Sequence, residues 1–231
     1  MGKTDNGELQ AQSACSSPFP GLISPECLSF AMRRPNFEKA RDYALELLQR
    51  ELPSHLTYHS VSHTRDEVVP AVERLAGSLG VTGMDLPVLV TAAYFHDIGF
   101  IEKMENHERI SIRIASEALP ECGYLPEQIE VIRGIIMATK LPQSPQTLLE
   151  EIMADADLDV LGRDDFLTRS YDLRAERAAL GISFSDEAWY RSQLEFLRAH
   201  HYFTPAARHL RDEKKQENIA MMERLLAQAW N

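Results

Sequence analysis

The chain has 231 residues, with 24 basic and 35 acidic side chains for a net charge of −11, and is 44% hydrophobic and 26% charged. That balance is ordinary for a globular protein with a sizeable core. So acidic a chain is a poor match for duplex phosphates, and no nucleic-acid duplex is expected as a partner. The longest apolar run, Leu86 to Phe95, is far shorter than the about 20 residues a bilayer span requires, so no membrane partner is expected either. Cys15, Cys27 and Cys122 show neither a C-x-x-C pair nor zinc-finger spacing, and a reducing compartment is the simplest reading. Lys3, Asp5 and Glu8 are not followed at once by the apolar stretch of a signal peptide, and the expected location is cytoplasmic.

Residues 1–35 are rich in Ser, Pro, Gly and Gln, contain Pro18, Pro20, Pro25 and Pro35, and have no sustained apolar period. They are expected to form a disordered tail, with Met32 as an alternative start. Asn36 then caps a helix carrying Phe37, Ala40, Ala44, Leu47 and Leu48, which should end near Leu52-Pro53. A second helix carries Val68, Val69, Val72, Leu75 and Leu79 and is closed by Gly80. Asp85 is read as the cap of a third. A fourth runs from about His107 to Leu119, and a fifth from Pro126 through Ile129, Ile132 and Ile136. Leu141 to Pro145 is a loop, and two or three helices are expected over Thr147 to Leu180. Ser185 caps the helix of Trp189, Leu194 and Leu197, and Thr204-Pro205 starts a last helix reaching Leu226. Strict alternation is nowhere long enough for a sheet. The expected fold class is therefore all-α, a single helical bundle domain over residues 36–231, with the C-terminal helices as part of the bundle.

One feature of that bundle is costly. The third helix is apolar and ends in His96-Asp97, where an unpaired buried carboxylate needs a cation, a donor network or water. A metal ion supplies all of these. Adjacent residues point about 100° apart around a helix, so both side chains reach one ion only if it lies beyond the helix end.

Upstream stands Tyr58-His59-Ser60-Val61-Ser62-His63, and downstream Ala154-Asp155-Ala156-Asp157-Leu158-Asp159. The order His, His-Asp, Asp resembles the HD superfamily of metal-dependent phosphohydrolases. Asn106 to Ser111, Ile135 to Lys140, Asp155 to Gly162, and Phe196-Leu197 with Tyr202 to Thr204 resemble its branch of predicted phosphohydrolases of unassigned substrate. The resemblance covers Asn36 to Leu226. It implies a bundle of the HD/phosphodiesterase-like type with metal ligands His63, His96, Asp97 and Asp157. These nitrogen and oxygen donors suit one divalent ion, with Mn, Fe, Zn, Co and Mg all open. Four protein ligands would leave an octahedral ion two positions, for water and a substrate oxygen. The implied activity is hydrolysis of a phosphate ester or nucleotide through metal-activated water, with Asp97 also counted as catalytic. The implied partner is a small phosphorylated substrate, and the oligomeric state is open.

The Tyr58-His59 phrase before His63 is similar to one in cyclic-nucleotide phosphodiesterases, where the first His protonates the leaving oxygen. On a helix, His59 and His63 would share a face. Carried over, His59 is the general acid, although Ser60 stands where that family usually has Asn. A supporting or structural role for His59 stays open. His107 and Glu108 resemble the His-Glu pair that follows the His-Asp motif, and His107 resembles a second-metal ligand of two-metal branches. Those branches have a further His where this chain has Thr139 and Lys140, so one metal is expected. Lys140 and Arg65 are read as cations for a substrate phosphate, and His107 and Glu108 as further substrate-side residues. His200, His201 and His209 are read as packing or surface groups.

Asp155 and Asp157, two residues apart on a helix, lie about 200° apart around its axis, so only one can reach the ion. The Ala156-Asp157-Leu158 phrase resembles the family's final ligand and selects Asp157. Asp155 then caps a turn or orients a ligand histidine, and Asp159 is the least critical of the three. Two other functions are compatible with the resemblance. One is an HD-type di-iron oxygenase, which needs additional His ligands; the other is a catalytically silent metal- or nucleotide-binding regulatory module. Deleting Met1 to Met32 should leave the melting temperature nearly unchanged, because the segment offers no apolar face to bury. A large drop would place it in a groove of the bundle.

Overall fold

The computed structural model describes residues 35–229. Residues 1–34 of the proposed tail, its alternative start at Met32 and both Cys15 and Cys27 lie outside the described residues. Within them the chain is all-α, without a strand. The helices are α1 (Phe37–Glu51), α2 (Val69–Ser78), α3 (Asp85–Phe95), α4 (His107–Ala118), α5 (Pro126–Met137), α6 (Leu148–Asp157), α7 (Phe166–Ala179), α8 (Asp186–Ala199) and α9 (Pro205–Gln228). A π-helical turn, His63–Val68, leads into α2, and short 3-10 turns follow α3, α4 and α6.

Local chemistry sets the boundaries. Asn36 Oδ1 accepts the Lys39 backbone N–H at 2.9 Å and starts α1, which buries Ala40, Ala44 and Leu48. Thr147, Ser185 and Thr204 do the same for α6, α8 and α9, each satisfying an amide that the first helical turn leaves open. Asp85 is a correction. Met84 occupies the cap position of α3 without a side-chain bond, and Asp85 is the first helical residue. There its carboxylate meets the positive end of the helix dipole instead.

Helix α3 organises the bundle. Every residue from Val88 to Phe95 is buried, as a helix apolar on all sides must be, and α1, α2, α5 and α6 pack around it. A second apolar cluster joins Val160, Leu161 and Phe166 to Trp189, Leu194 and Met222. The C-terminal helices thus extend the bundle with a core of their own.

Two aspartates near the end of α6 bolt α9 in place. Asp155, fully buried, accepts the backbone N–H groups of Phe203 at 2.7 Å and Thr204 at 2.8 Å, at the turn into α9. Asp159 takes Arg74 of α2 at 3.0 Å and Arg211 of α9 at 2.7 Å.

Helix α4 sits directly on the turn that ends α3. Ser111 accepts the Gly99 N–H at 2.9 Å and donates to the His96 carbonyl at 2.7 Å. A Cβ on Gly99 would lie 2.1 Å from the His107 carbonyl oxygen. Gly99→Ala should therefore destabilise the fold by about 1–3 kcal/mol or more, as an overpacked core does, and displace His107. Urea unfolding reads the effect, and a wild-type midpoint would show that α4 is not seated on this turn.

Candidate functional site

Three separate segments bring four side chains to one point. His63 opens the π-helical turn, a device often found at functional sites; His96 and Asp97 end α3; Asp157 is the last residue of α6. His96 Nε2 lies 3.2 Å from Asp97 Oδ2 and 3.4 Å from Asp157 Oδ1. His63 Nε2 lies 3.8 Å and 3.5 Å from the same two oxygens. Ligands of one ion with bonds of about 2.1 Å are separated by about 3 Å when adjacent and about 4.2 Å when opposite, so these spacings fit a shared cation. His63, His96 and Asp157 form a group whose ligand atoms all lie within 4.8 Å of one another.

The chemistry of the donor set agrees. His96 Nδ1 donates to the Ala93 carbonyl at 2.7 Å, which leaves its Nε2 a lone pair aimed at two carboxylates. His63 Nε2, His96 Nε2 and Asp97 Oδ2 are all buried and make no hydrogen bond. Acceptors facing acceptors in a dry site require a positive charge between them. Burial opposes charging the imidazoles, yet Asp97 and Asp157 outweigh it and raise His96 well above the ordinary histidine value. His63 is raised against burial by Asp157, Glu67 and Asp97. In return, burial is overcome at the acids: His63 and His96 hold Asp157 down to about 2, and Asp97 falls below the ordinary carboxylate range beside His96. A divalent cation would meet the demand of all four groups.

Behind His63 stands Glu67, whose Oε2 is 3.5 Å from His63 Nδ1. Arg169 at 3.1 Å and Arg163 at 3.3 Å hold Glu67 in turn. Sequence reasoning misses Glu67, although its four-residue spacing from His63 is a signal that could find it.

Asp97 and Asp157 line a cavity of about 480 Å³, together with His59, Phe100, His107 and Lys140. His59 is not on the helix of His63, contrary to expectation, but in the bend before it. The reason is Glu176 of α7. This fully buried carboxylate accepts the backbone N–H groups of Tyr58 and His59, each at 3.0 Å, and takes His59 Nδ1 at 2.6 Å. No local pattern could reveal a partner 117 residues away.

The His59 ring stacks on Phe100 at 4.2 Å, and Phe100 on His107 at 4.1 Å. His107 Nδ1 contacts the Met104 carbonyl at 3.0 Å, and Nε2 points to Asp97 Oδ1 at 3.5 Å. Asn106, before His107, is the one non-glycine described residue with positive φ, at 56°; such backbone strain tends to collect at functional sites. Its Oδ1 lies 3.5 Å from Lys140 Nζ. Glu108 also lines the cavity, buried, with Oε2 making no hydrogen bond.

Arg65 is not among these residues. Two positions after His63 it points away from the cluster, exposed, and forks onto Asp66 with two bonds of 2.8 Å. Thr139 donates to the Ile136 carbonyl and offers no imidazole. His200 contacts Lys215 at 3.0 Å, outside the cluster.

Metal content of Asp157→Ala and Asp155→Ala, purified side by side, checks the assignment. Asp157→Ala should lose the ion, whereas Asp155→Ala should keep it and unfold at a lower temperature. The reverse pattern would move the ligand to Asp155.

Residues 63–159 match the family model of the HD domain, from the first histidine of the cluster to just past its last aspartate. A solved structure of a predicted HD superfamily hydrolase from an uncultured Thermotogales bacterium is similar, with a TM-score of 0.57 at 19% identity, covering 88% of this chain and 99% of that one. At that identity the likeness is one of fold. A search of curated proteins gives no match. No helix among the described residues is long and apolar enough to cross a membrane. The segment that matches the HD domain contains the whole cluster, His63, His96, Asp97 and Asp157.

Proposed function

We propose that the protein is a metal-dependent phosphohydrolase acting on a small phosphate ester or nucleotide. The observation that carries this reading is the convergence of unpartnered, buried His63, His96 and Asp97 atoms with Asp157 at the wall of a substrate-sized cavity. The hydrolase description of the structural neighbour supports it. A divalent ion held by these four residues would supply Lewis acidity toward a phosphoryl oxygen and acidify water.

The remaining roles belong to the chain itself. His59 is the proton donor to the leaving oxygen: Glu176 takes its Nδ1, so Nε2 is the nitrogen left for the cavity. Burial works against ionising Glu176, but His59 and the two backbone amides outweigh it and lower its pKa. Glu176 thereby fixes the ring in the orientation that a proton donor at this place needs. Lys140 brings a positive charge for the phosphate, and the Phe100 stack fixes both flanking rings.

Metal analysis followed by phosphate release from a panel of monoesters, diesters and nucleotides, with Mn, Co, Ni or Mg added, tests the reading. Release is expected. Stoichiometric metal with no release from any member would overturn it and favour the silent regulatory module. His59→Ala should retain its metal while kcat falls by about 10² to 10⁴. Loss of metal in that variant would make His59 a ligand or ligand support, and unchanged turnover would make it structural.

A further inference from the structure

The cavity has two ends of different origin. The cluster end comes from the segment that matches the HD domain, whereas Phe166, Arg177, Gln193 and Phe196 come from α7 and α8, beyond that match. These later residues line the same cavity and are open to the body of a substrate whose phosphate meets the cluster.

Donor bookkeeping settles what this wall offers. Trp189 Nε1–H, a donor only, gives its hydrogen to Ser170 Oγ at 3.1 Å, and Ser170 in turn donates to Gln193 Oε1 at 3.2 Å. Trp189 and Ser170 are both buried. Turning the Gln193 amide over would place its N–H groups on a hydroxyl already receiving one hydrogen and strand the serine proton in a dry site. The relay therefore fixes the carboxamide with Oε1 inward and leaves both Nε2 hydrogens for the cavity. Arg177 lines the same wall, and its guanidinium makes no hydrogen bond or ion pair among the described residues. Ser192, also at this wall, spends its hydrogen on the Trp189 carbonyl at 2.8 Å. The unspent hydrogens of Gln193 and Arg177 call for acceptors on the ligand.

We propose that Gln193, oriented by the Trp189–Ser170 relay, is a specificity-determining residue. It selects phosphate esters whose ring body presents a carbonyl oxygen over those presenting an amino group at the same place. The aromatic side chains Phe166 and Phe196 supply the apolar surface for such a ring. A site built to hydrogen-bond one group discriminates strongly against an analogue that leaves its polar atoms unpaired.

The inference rests on the cavity being a phosphoester site, and binding without turnover tests it separately. The probes are non-hydrolysable phosphonate analogues of inosine, adenosine, uridine and cytidine monophosphates, titrated calorimetrically into the full chain with its metal. The oxo member of each pair should bind about tenfold or more tightly than its amino partner, about 1.4 kcal/mol in binding free energy. Gln193→Glu keeps an acceptor for Ser170 but turns a carboxylate to the cavity, so the preference should collapse or invert while metal content is unchanged. Ser170→Ala frees the amide to rotate and should narrow the preference. Equal binding within each pair, no binding of either oxo probe, or an unaltered preference in Gln193→Glu would overturn the proposal. If the preference holds but no parent ester is hydrolysed, recognition stands and the phosphohydrolase reading falls. Hydrolysis without preference leaves the phosphohydrolase reading standing and removes Gln193 as the selector.

Discussion

The structure depends on a carboxylate placed at the end of a helix that is buried on every side. Asp97 lies at the close of α3 with 7% of its surface exposed, beside His96 with none. Leaving such a charge uncompensated costs several kcal/mol, comparable to the whole stability margin of a domain. The surrounding segments answer that cost. The π-helical turn contributes His63, the end of α6 contributes Asp157, and α4 presses His107 against the other carboxylate oxygen at 3.5 Å. Two carboxylates and two imidazoles converge there with His63 Nε2, His96 Nε2 and Asp97 Oδ2 making no hydrogen bond, and a bound cation would satisfy all of them.

The same constraint explains the backbone around the cluster. His107 can approach Asp97 only because α4 lies against Gly99, with no room there for a side chain. The approach also requires the left-handed turn at Asn106, a residue type that tolerates it. Ser111 then satisfies both the Gly99 amide and the His96 carbonyl, two groups the helix end would otherwise leave open. Packing and site geometry are thus one arrangement here.

Much of this was legible in the sequence because it is local or periodic. The 3.6-residue spacing and the caps at Asn36, Ser185 and Thr204 located their helices, and the His-Asp pair marked the buried charge. The 200° argument allowed only one of Asp155 and Asp157 to reach an ion and the family resemblance selected Asp157; the structure places Asp157 in the cluster and Asp155 on the turn into α9. What the sequence hid is long-range. Glu176 is 117 residues from His59 and sits in a helix where an acid reads as solvated surface. Arg65 misled for the converse reason: a cation near a ligand in sequence is not near it in space when two helical positions separate them.

Helix α7 ties these facts together. Arg169 and Glu176 are seven residues apart, so they project from the same face of that helix. Arg169 holds Glu67 behind His63 and donates to the Tyr58 carbonyl at 2.9 Å, while Glu176 fixes His59. One helix face therefore sets the orientation of both a cluster histidine and the proposed proton donor. Neither α7 nor His59 falls within residues 63–159. The matched HD domain supplies the cluster, but the segments on either side of it determine how that cluster is aimed, and α7 also contributes to the far wall of the cavity. On the proposed reading, a change in the C-terminal helices alters proton delivery and substrate choice while leaving all four cluster residues untouched.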